Sequence, residues 1–298
     1  MKGAGMQANL RSWVAPVPWW GKIAAKLILA RLPVDYKVWK WLHLFECGKM
    51  EDAGYAYGVF KRHFDAARSR RAFNNFVGLE LGPGDSLFSA MIAYAYDASA
   101  YHLVDVGPFA QFDTGRYRPM ASFLEKQGLS TIKIDSLTSS ESFLTACHAT
   151  YGTRGLISLR AIPDHSVDYS WSHTVLQHVP LKEFQETLKE LRRQLRPDGI
   201  SSHLIDLQDC LGGSLNNLRF SESVWESPFM ANSGFYTNRI RYSEMLELFK
   251  EARFAAEVVN VKRWDRLPIE RSKLSPRFQK LSDDELRVQS FHVILKPV

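Results

Sequence analysis

Three cysteines in 298 residues, Cys47, Cys147 and Cys210, are too few and too widely spaced for a disulfide framework or a paired-cysteine zinc ribbon. Such sparse usage is expected of a reducing, cytoplasmic setting. Long apolar runs are also missing: the longest near the start is Leu27 to Ala30, far short of the roughly 20 residues that span a bilayer, and no signal peptide with a cleavage site is read before it. With 18 glycines and 13 prolines the composition excludes collagen-like and low-complexity chains, and 45% hydrophobic with 23% charged residues points to a packed globule. The net charge of +6 is spread thinly. Its densest groups, Arg68 with Arg70 and Arg71, Lys61-Arg62 and Arg192-Arg193, read as solvated helix faces, so no nucleic-acid partner is expected.

Residues 1–18 read as a loose arm. From Trp19 to Leu32 the pattern is helical and amphipathic, with Trp20, Ile23, Leu27 and Ile28 on one side and Lys22 and Lys26 on another. Such a segment suits either packing on the main domain or a peripheral contact with the inner face of a membrane. Residues 34–72 continue as two aromatic-rich helical stretches with a break at Gly48, so 1–72 is expected to form an N-terminal arm and helical lid. After Ala72 short apolar strands alternate with helices, the pattern of a parallel sheet wrapped by crossovers. Strands are expected near 77–81, 101–106, 167–172, 200–207, 255–261 and 291–295, with another around 132–135. The helix from Leu181 should stop at Arg196-Pro197-Asp198-Gly199, and the helix after Ser243 should use that serine as its N-cap. Domain 73–298 then contains a long insertion, 208–241, whose Asn216, Asn217, Trp225, Asn232, Tyr236 and Asn238 would suit a sugar.

The informative stretch is Val77-Gly-Leu-Glu-Leu-Gly-Pro-Gly-Asp-Ser86, an apolar strand, a tight Gly-rich turn and a helix beginning near Leu87. Such a turn brings backbone N–H groups to the carboxyl edge of an open α/β sheet, where nucleotides bind. Asp105, at the end of the next strand, stands where a carboxylate accepts both ribose hydroxyls. A dinucleotide fingerprint would need a third glycine, but Leu87 occupies that position. Glu80, two residues before the first glycine, would repel a pyrophosphate and suits an ammonium instead.

The chain here resembles the class I S-adenosylmethionine-dependent methyltransferases, through LELGPGDS (79–86), LVDVG (103–107), IPDHSVDYSWSHTVLQHV (162–179) and LKELRRQLRPDGI (188–200), in family order. The resemblance implies a Rossmann-like α/β fold, a seven-stranded, mostly parallel sheet with an N-terminal helical extension, and S-adenosylmethionine as cofactor. It implies that Glu80, Leu81, Gly82, Pro83, Gly84 and Asp85 cradle the methionine part and that Asp105 with Val106 holds the ribose. For adenine, Gly155 and Leu156 are favoured over Asp135, and Ser172 and His173 would face the sulfonium. His178 reads as a loop-orienting residue. If the acceptor is a hydroxyl, His173, His203 and Asp206 are the candidate bases. His203, Asp206 and Asp209 also evoke a metal site, although solvated or capping carboxylates are the simpler reading and no metal is expected. The expected partner is a small-molecule or glycan acceptor. A Rossmann-type NAD(P)-dependent oxidoreductase and a non-catalytic protein retaining the fold, bound to a membrane or partner, stay open as alternatives.

Overall fold

The computed structural model describes Gly21, residues 50–110 and residues 112–298. The Trp19 to Leu32 segment, Gly21 apart, and the first aromatic helical stretch lie outside the described residues, and with them the expected membrane contact. Among the described residues no helix is long and apolar enough to cross a membrane. The chain divides into two compact units. The larger comprises Glu46–Leu207, Ile240–Arg263 and Val288–Val298, and the smaller includes Gln208–Arg239 and Trp264–Arg287.

In the larger unit helix α1 (Ala53–Arg68) begins where Asp52, in extended conformation, accepts the Tyr55 N–H at 2.8 Å. Its Ala56, Val59, Phe60, His63, Phe64 and Ala67 recur at helical spacing and are buried. There follow β1 (Phe76–Leu81), α2 (Phe88–Ala95), β2 (Ala98–Val104), α3 (Thr114–Lys126), α4 (Ser140–Ala146), β3 (Ala149–Gly152), α5 (Leu156–Arg160), β4 (Val167–His173), α6 (Leu181–Gln194) and β5 (Leu195–Asp206). The smaller unit contributes α7 (Glu222–Trp225) and α8 (Pro228–Ala231), the larger resumes with α9 (Tyr242–Glu251) and β6 (Phe254–Arg263), and α10 (Pro276–Gln279) and α11 (Asp283–Leu286) precede the last strand, β7 (Val288–Pro297).

The seven strands form one sheet in the order β3-β2-β1-β4-β5-β7-β6. The first five pair in parallel, and β7 runs antiparallel to both β5 and β6. One apolar cluster joins the sheet to α1, α2, α3 and α4, and a second joins its other face to α5, α6 and α9. Crossover helices on both faces are what a parallel sheet requires, because neither of its faces can be left in water.

Two expectations are corrected. Residues 132–135 are no strand: Ile134–Ser136 form a single 3-10 turn, and the third strand is Ala149–Gly152. Ile132 and Ile134 are buried, so their apolar character marks a core-packed loop, while the edge of β2 is paired by the less apolar Ala149–Gly152. Helix α9 starts at Tyr242, with Arg241 at its N-cap and no side-chain cap bond, so Ser243 lies within the first turn.

The smaller unit has two apolar clusters, one around Trp225 and Phe235 and one around Leu218 and Phe278. The Leu218 carbonyl accepts the Ser275 N–H at 2.9 Å, tying its two segments together. Arg239, 4% exposed, donates to the Phe220 carbonyl at 2.8 Å and faces the rings of Trp225 and Phe278.

Phe64 packs against Phe60, Phe73, Phe76, Tyr96 and Tyr169, with ring centroids 5.1 to 5.7 Å away. Phe64→Ala leaves a cavity there and should lower unfolding free energy by about 3–5 kcal/mol in denaturant titrations. A loss below about 1 kcal/mol would mean that α1 contributes little to this core.

Candidate active site

The strand order reverses between β1 and β4, which opens a crevice beyond their carboxyl ends. Leu81 pairs with Val104 on one side and with Ser172 on the other, so Gly82, Asp105 and His173 emerge at one lip. The Gly82 N–H donates to the Val104 carbonyl at 2.8 Å. Gly82 and Gly84 both have φ of +69°, and a Cβ on Gly82 would stand 2.5 Å from a Val175 methyl. Only glycine meets both demands at position 82.

Asp105 is the knot of this lip. Its Oδ2 accepts the Gly84 N–H at 3.1 Å and its Oδ1 accepts the Val106 N–H at 2.7 Å. Its own N–H donates to the Gly152 carbonyl at 2.8 Å, and its carbonyl accepts the Gly155 N–H at 2.8 Å. The ends of β1, β2 and β3 are thereby joined through one residue. Burial raises the Asp105 pKa, opposed by the two backbone donors. Beside it Val106 is 74% exposed, an apolar surface next to Gly155, whereas Leu156 is half-buried.

Glu80 is only 1% exposed and lies beneath the turn. Ser89 Oγ donates to its carboxyl group, and the Tyr101 hydroxyl lies 3.5 Å away. Burial pushes its pKa up to about 8, only partly offset by the Ser89 hydrogen bond.

Ser86 accepts the Phe88 N–H at 3.2 Å, while the Tyr117 hydroxyl accepts the Leu87 N–H at 2.9 Å. The first free N–H groups of α2 are thus already used. A pyrophosphate, which depends on such groups, would find few donors there. Asp85 and Ser86 line a cavity of about 390 Å³ with Phe88, Arg116 and Tyr117.

The candidate bases differ in kind. His203 is fully buried, with Nδ1 2.7 Å from Ser172 Oγ and Nε2 2.6 Å from Ser201 Oγ, so neither nitrogen is open to an acceptor. Burial, with a small contribution from His292, lowers its pKa to about 3. Asp206 is half-buried at the carboxyl end of β5. His173 ends β4 at the lip itself. Its Nδ1 lies 3.1 Å from His63 Nε2, and its Nε2 has no hydrogen-bond partner among the described residues. His178 is exposed. His63 and His292 have no motif around them and were not found from sequence. The one signal for His63 is its place on the apolar stripe of α1.

In the smaller unit Asn216, Asn217, Trp225, Tyr236 and Asn238 are buried, contrary to the expectation that they face a sugar. Asn217 donates to Thr237 Oγ1, Trp225 to the Thr237 carbonyl and Tyr236 to Glu226. Polar side chains in a small core satisfy one another, which the composition of a loop does not reveal. A separate cleft of about 860 Å³ in this unit is lined by Arg219, Trp264, Arg266, Leu267, Glu270 and Lys273.

Residues 118–202 match the family model described as a methyltransferase domain. The chain carries a methyltransferase domain. The cofactor of such a domain is S-adenosylmethionine. No curated protein matches the sequence. Among solved structures it is similar to the YcgJ protein from Bacillus subtilis, at 15% identity over 82% of this chain and 99% of that one, with a TM-score of 0.42. An S-adenosylmethionine-dependent methyltransferase from Methanosarcina mazei gives 15% identity over 76% and 94%, with a TM-score of 0.42. The [4+2]-cyclase SpnF gives 16% over 80% and 81%, with a TM-score of 0.41. The fold is carried by the strand order, not by these likenesses.

The lip suits this cofactor on its own chemistry. It offers a carboxylate with acceptor capacity left, a glycine turn that a Cβ would block, an apolar patch and a helix start with few free phosphate donors.

Two stability tests follow from the turn. Because the Glu80 pKa is raised on folding, its protonated form stabilises the fold below the unfolded pKa near 4.5, and that contribution is lost as pH rises through about 8. Melting temperature should therefore fall more steeply from pH 6 to pH 9 in wild type than in Glu80→Gln; parallel curves would place the ionised carboxylate in the fold at neutral pH. Gly82→Ala should cost about 2 kcal/mol or more in a denaturant titration, from the left-handed backbone and the Val175 clash together. An unchanged midpoint would show that the turn is free to rearrange.

Proposed function

We propose that the enzyme moves the methyl group to a hydroxyl of a small-molecule or saccharide acceptor, and that His173 takes the hydroxyl proton. The observation that carries this reading is the position of His173: it stands at the lip beside the glycine turn, with Nε2 unoccupied among the described residues. Burial foremost, then Arg62 and His292, lower its pKa to about 4, so the ring is the unprotonated species at neutral pH.

The bound cofactor supplies a methyl group on a sulfonium whose charge disappears in the transfer. The chain's part is orientation in a water-poor site. In this reading Asp105 holds the ribose hydroxyls, Val106 with Gly155 and Leu156 flanks the adenine, and the backbone of Gly82, Pro83 and Gly84 supports the methionine part. Glu80 acts from beneath the turn, where an ammonium above it would favour the ionised carboxylate. Ser172 holds His203 and so fixes the end of β4.

The test is a thermal-shift titration with S-adenosylhomocysteine on wild type and Asp105→Ala, followed by labelled-methyl transfer to a panel of hydroxylated small molecules, saccharides, amines and proteins. Wild type should be stabilised by the ligand, and Asp105→Ala should lose about 1–3 kcal/mol of that binding. Label should enter hydroxyls. Label confined to amines or proteins would overturn the acceptor assignment.

A further inference from the structure

Behind His173 the larger unit holds a continuous row of proton-exchanging side chains that the methyl-transfer reading leaves unused. His63 Nε2 is 3.1 Å from His173 Nδ1, His63 Nδ1 is 2.8 Å from Ser202 Oγ, and Ser202 Oγ is 2.8 Å from His292 Nε2. The four groups come from α1, β4, β5 and β7, and His63 and Ser202 are fully buried while His292 is 6% exposed. His63 lies edge-on to both His173 and His292, with centroids 5.4 and 5.1 Å away, so its ring is held between them. Every link has a group on each side that can both give and accept a proton. Among the described residues no three His, Cys, Asp or Glu side chains are grouped as metal ligands, and both His63 nitrogens are already engaged.

We propose that His63, Ser202 and His292 form a proton relay behind His173, carrying the acceptor's hydroxyl proton away from the reacting oxygen. The proposal rests on the hydroxyl-acceptor reading above. Its physical motive is charge. The groups acting on these rings are Arg62 and Arg70, on and just after α1, His203 of β5 and the rings themselves. With burial, all of them disfavour a cation. A lone imidazole that kept the proton would become a buried imidazolium among like charges.

The row has two neutral registers that differ only in proton positions. In the first, His173 Nδ1–H donates to His63 Nε2, His63 Nδ1–H donates to Ser202, and Ser202 donates to His292 Nε2. As the acceptor's O–H bond breaks, its electron pair forms the new C–O bond, the methyl–sulfur pair remaining on sulfur. The proton enters at His173 Nε2, each link passes one proton onward, and one leaves from His292 Nδ1. The row is then in its second register, with every ring again neutral. After product leaves, the reverse shift takes one proton at His292 and releases one at His173, so each turnover yields a single proton to solvent.

The test compares wild type, Ser202→Ala, Ser202→Thr and His292→Phe, using the hydroxyl acceptor found in the panel. Ser202→Ala and His292→Phe should lower kcat by on the order of 10- to 100-fold, with KM for the acceptor and affinity for S-adenosylhomocysteine within twofold of wild type. Ser202→Thr restores a hydroxyl and should recover most of the rate. The solvent-isotope proton inventory should be curved in wild type, with several protons in flight, and linear in Ser202→Ala. Nitrogen-15 spectra of the histidine rings give a readout without turnover: His63, His173 and His292 should stay neutral at pH 6, and Ser202→Ala should change the tautomer balance at His173. If wild type methylates hydroxyls while both disrupting variants keep its kcat and its inventory, the relay is overturned and the acceptor reading survives. If wild type methylates no hydroxyl, both fall together. Three rings titrating independently near pH 6.5 would also overturn the relay.

Discussion

A single carboxylate residue, Asp105, organises the carboxyl edge of the sheet. Its side chain accepts from the glycine turn after β1, and its backbone donates to the end of β3 and accepts from the turn before α5. Backbone groups at a strand's carboxyl end have lost their ladder partners, so they must be satisfied by loops, water or ligand. Here three loops satisfy one another through one residue, which fixes their spacing while leaving acceptor capacity on the carboxylate. The positive-φ glycines and the fit of Val175 against Gly82 are conditions for that arrangement.

The two faces of the sheet treat polar groups differently. On the face carrying α5, α6 and α9, Ser170, Ser172, Ser201 and His203 form a closed set in which each group is satisfied by its neighbours. On the face carrying α1, the row from His173 to His292 is open at His173 and keeps a trace of exposure at His292. Closed polar sets rigidify a core; open ones can exchange protons with what lies outside. The same residue type, histidine on adjacent strands, thus acquires opposite characters from strand parity alone.

Much of the sheet was legible because its strands are apolar and separated by clear helical periods, as with Leu181, Phe184, Leu188 and Leu191 in α6. The third strand was not, since Ala149–Gly152 has four residues and little apolar character, whereas Ile132 and Ile134 imitate a strand while packing as a loop. At the lip, the tight turn at Gly82 and Gly84 and the place of Asp105 just after the second strand could be read because the turn demands particular backbone geometry. The burial of His203 by two serines could not, because side-chain partners across strands depend on register. His63 was hidden for a different reason: one polar residue on an apolar helix face is a weak signal until the strand it packs on is known. The amide-rich insertion misled by composition, since Asn216 and Asn217 turn inward and bond within their own unit.

The placement of β7 has a consequence for how the protein comes into being on the ribosome. This strand is inserted between β5 and β6 although it follows both in the chain, and it supplies His292 to a serine laid down some ninety residues earlier. Until residues 288–297 have left the exit tunnel, β5 has a bare edge and Ser202 lacks one of its two imidazole neighbours. A nascent chain can therefore shape its glycine turn while its inner polar row stays incomplete, so the sheet is completed only when β7 slides into an already waiting slot.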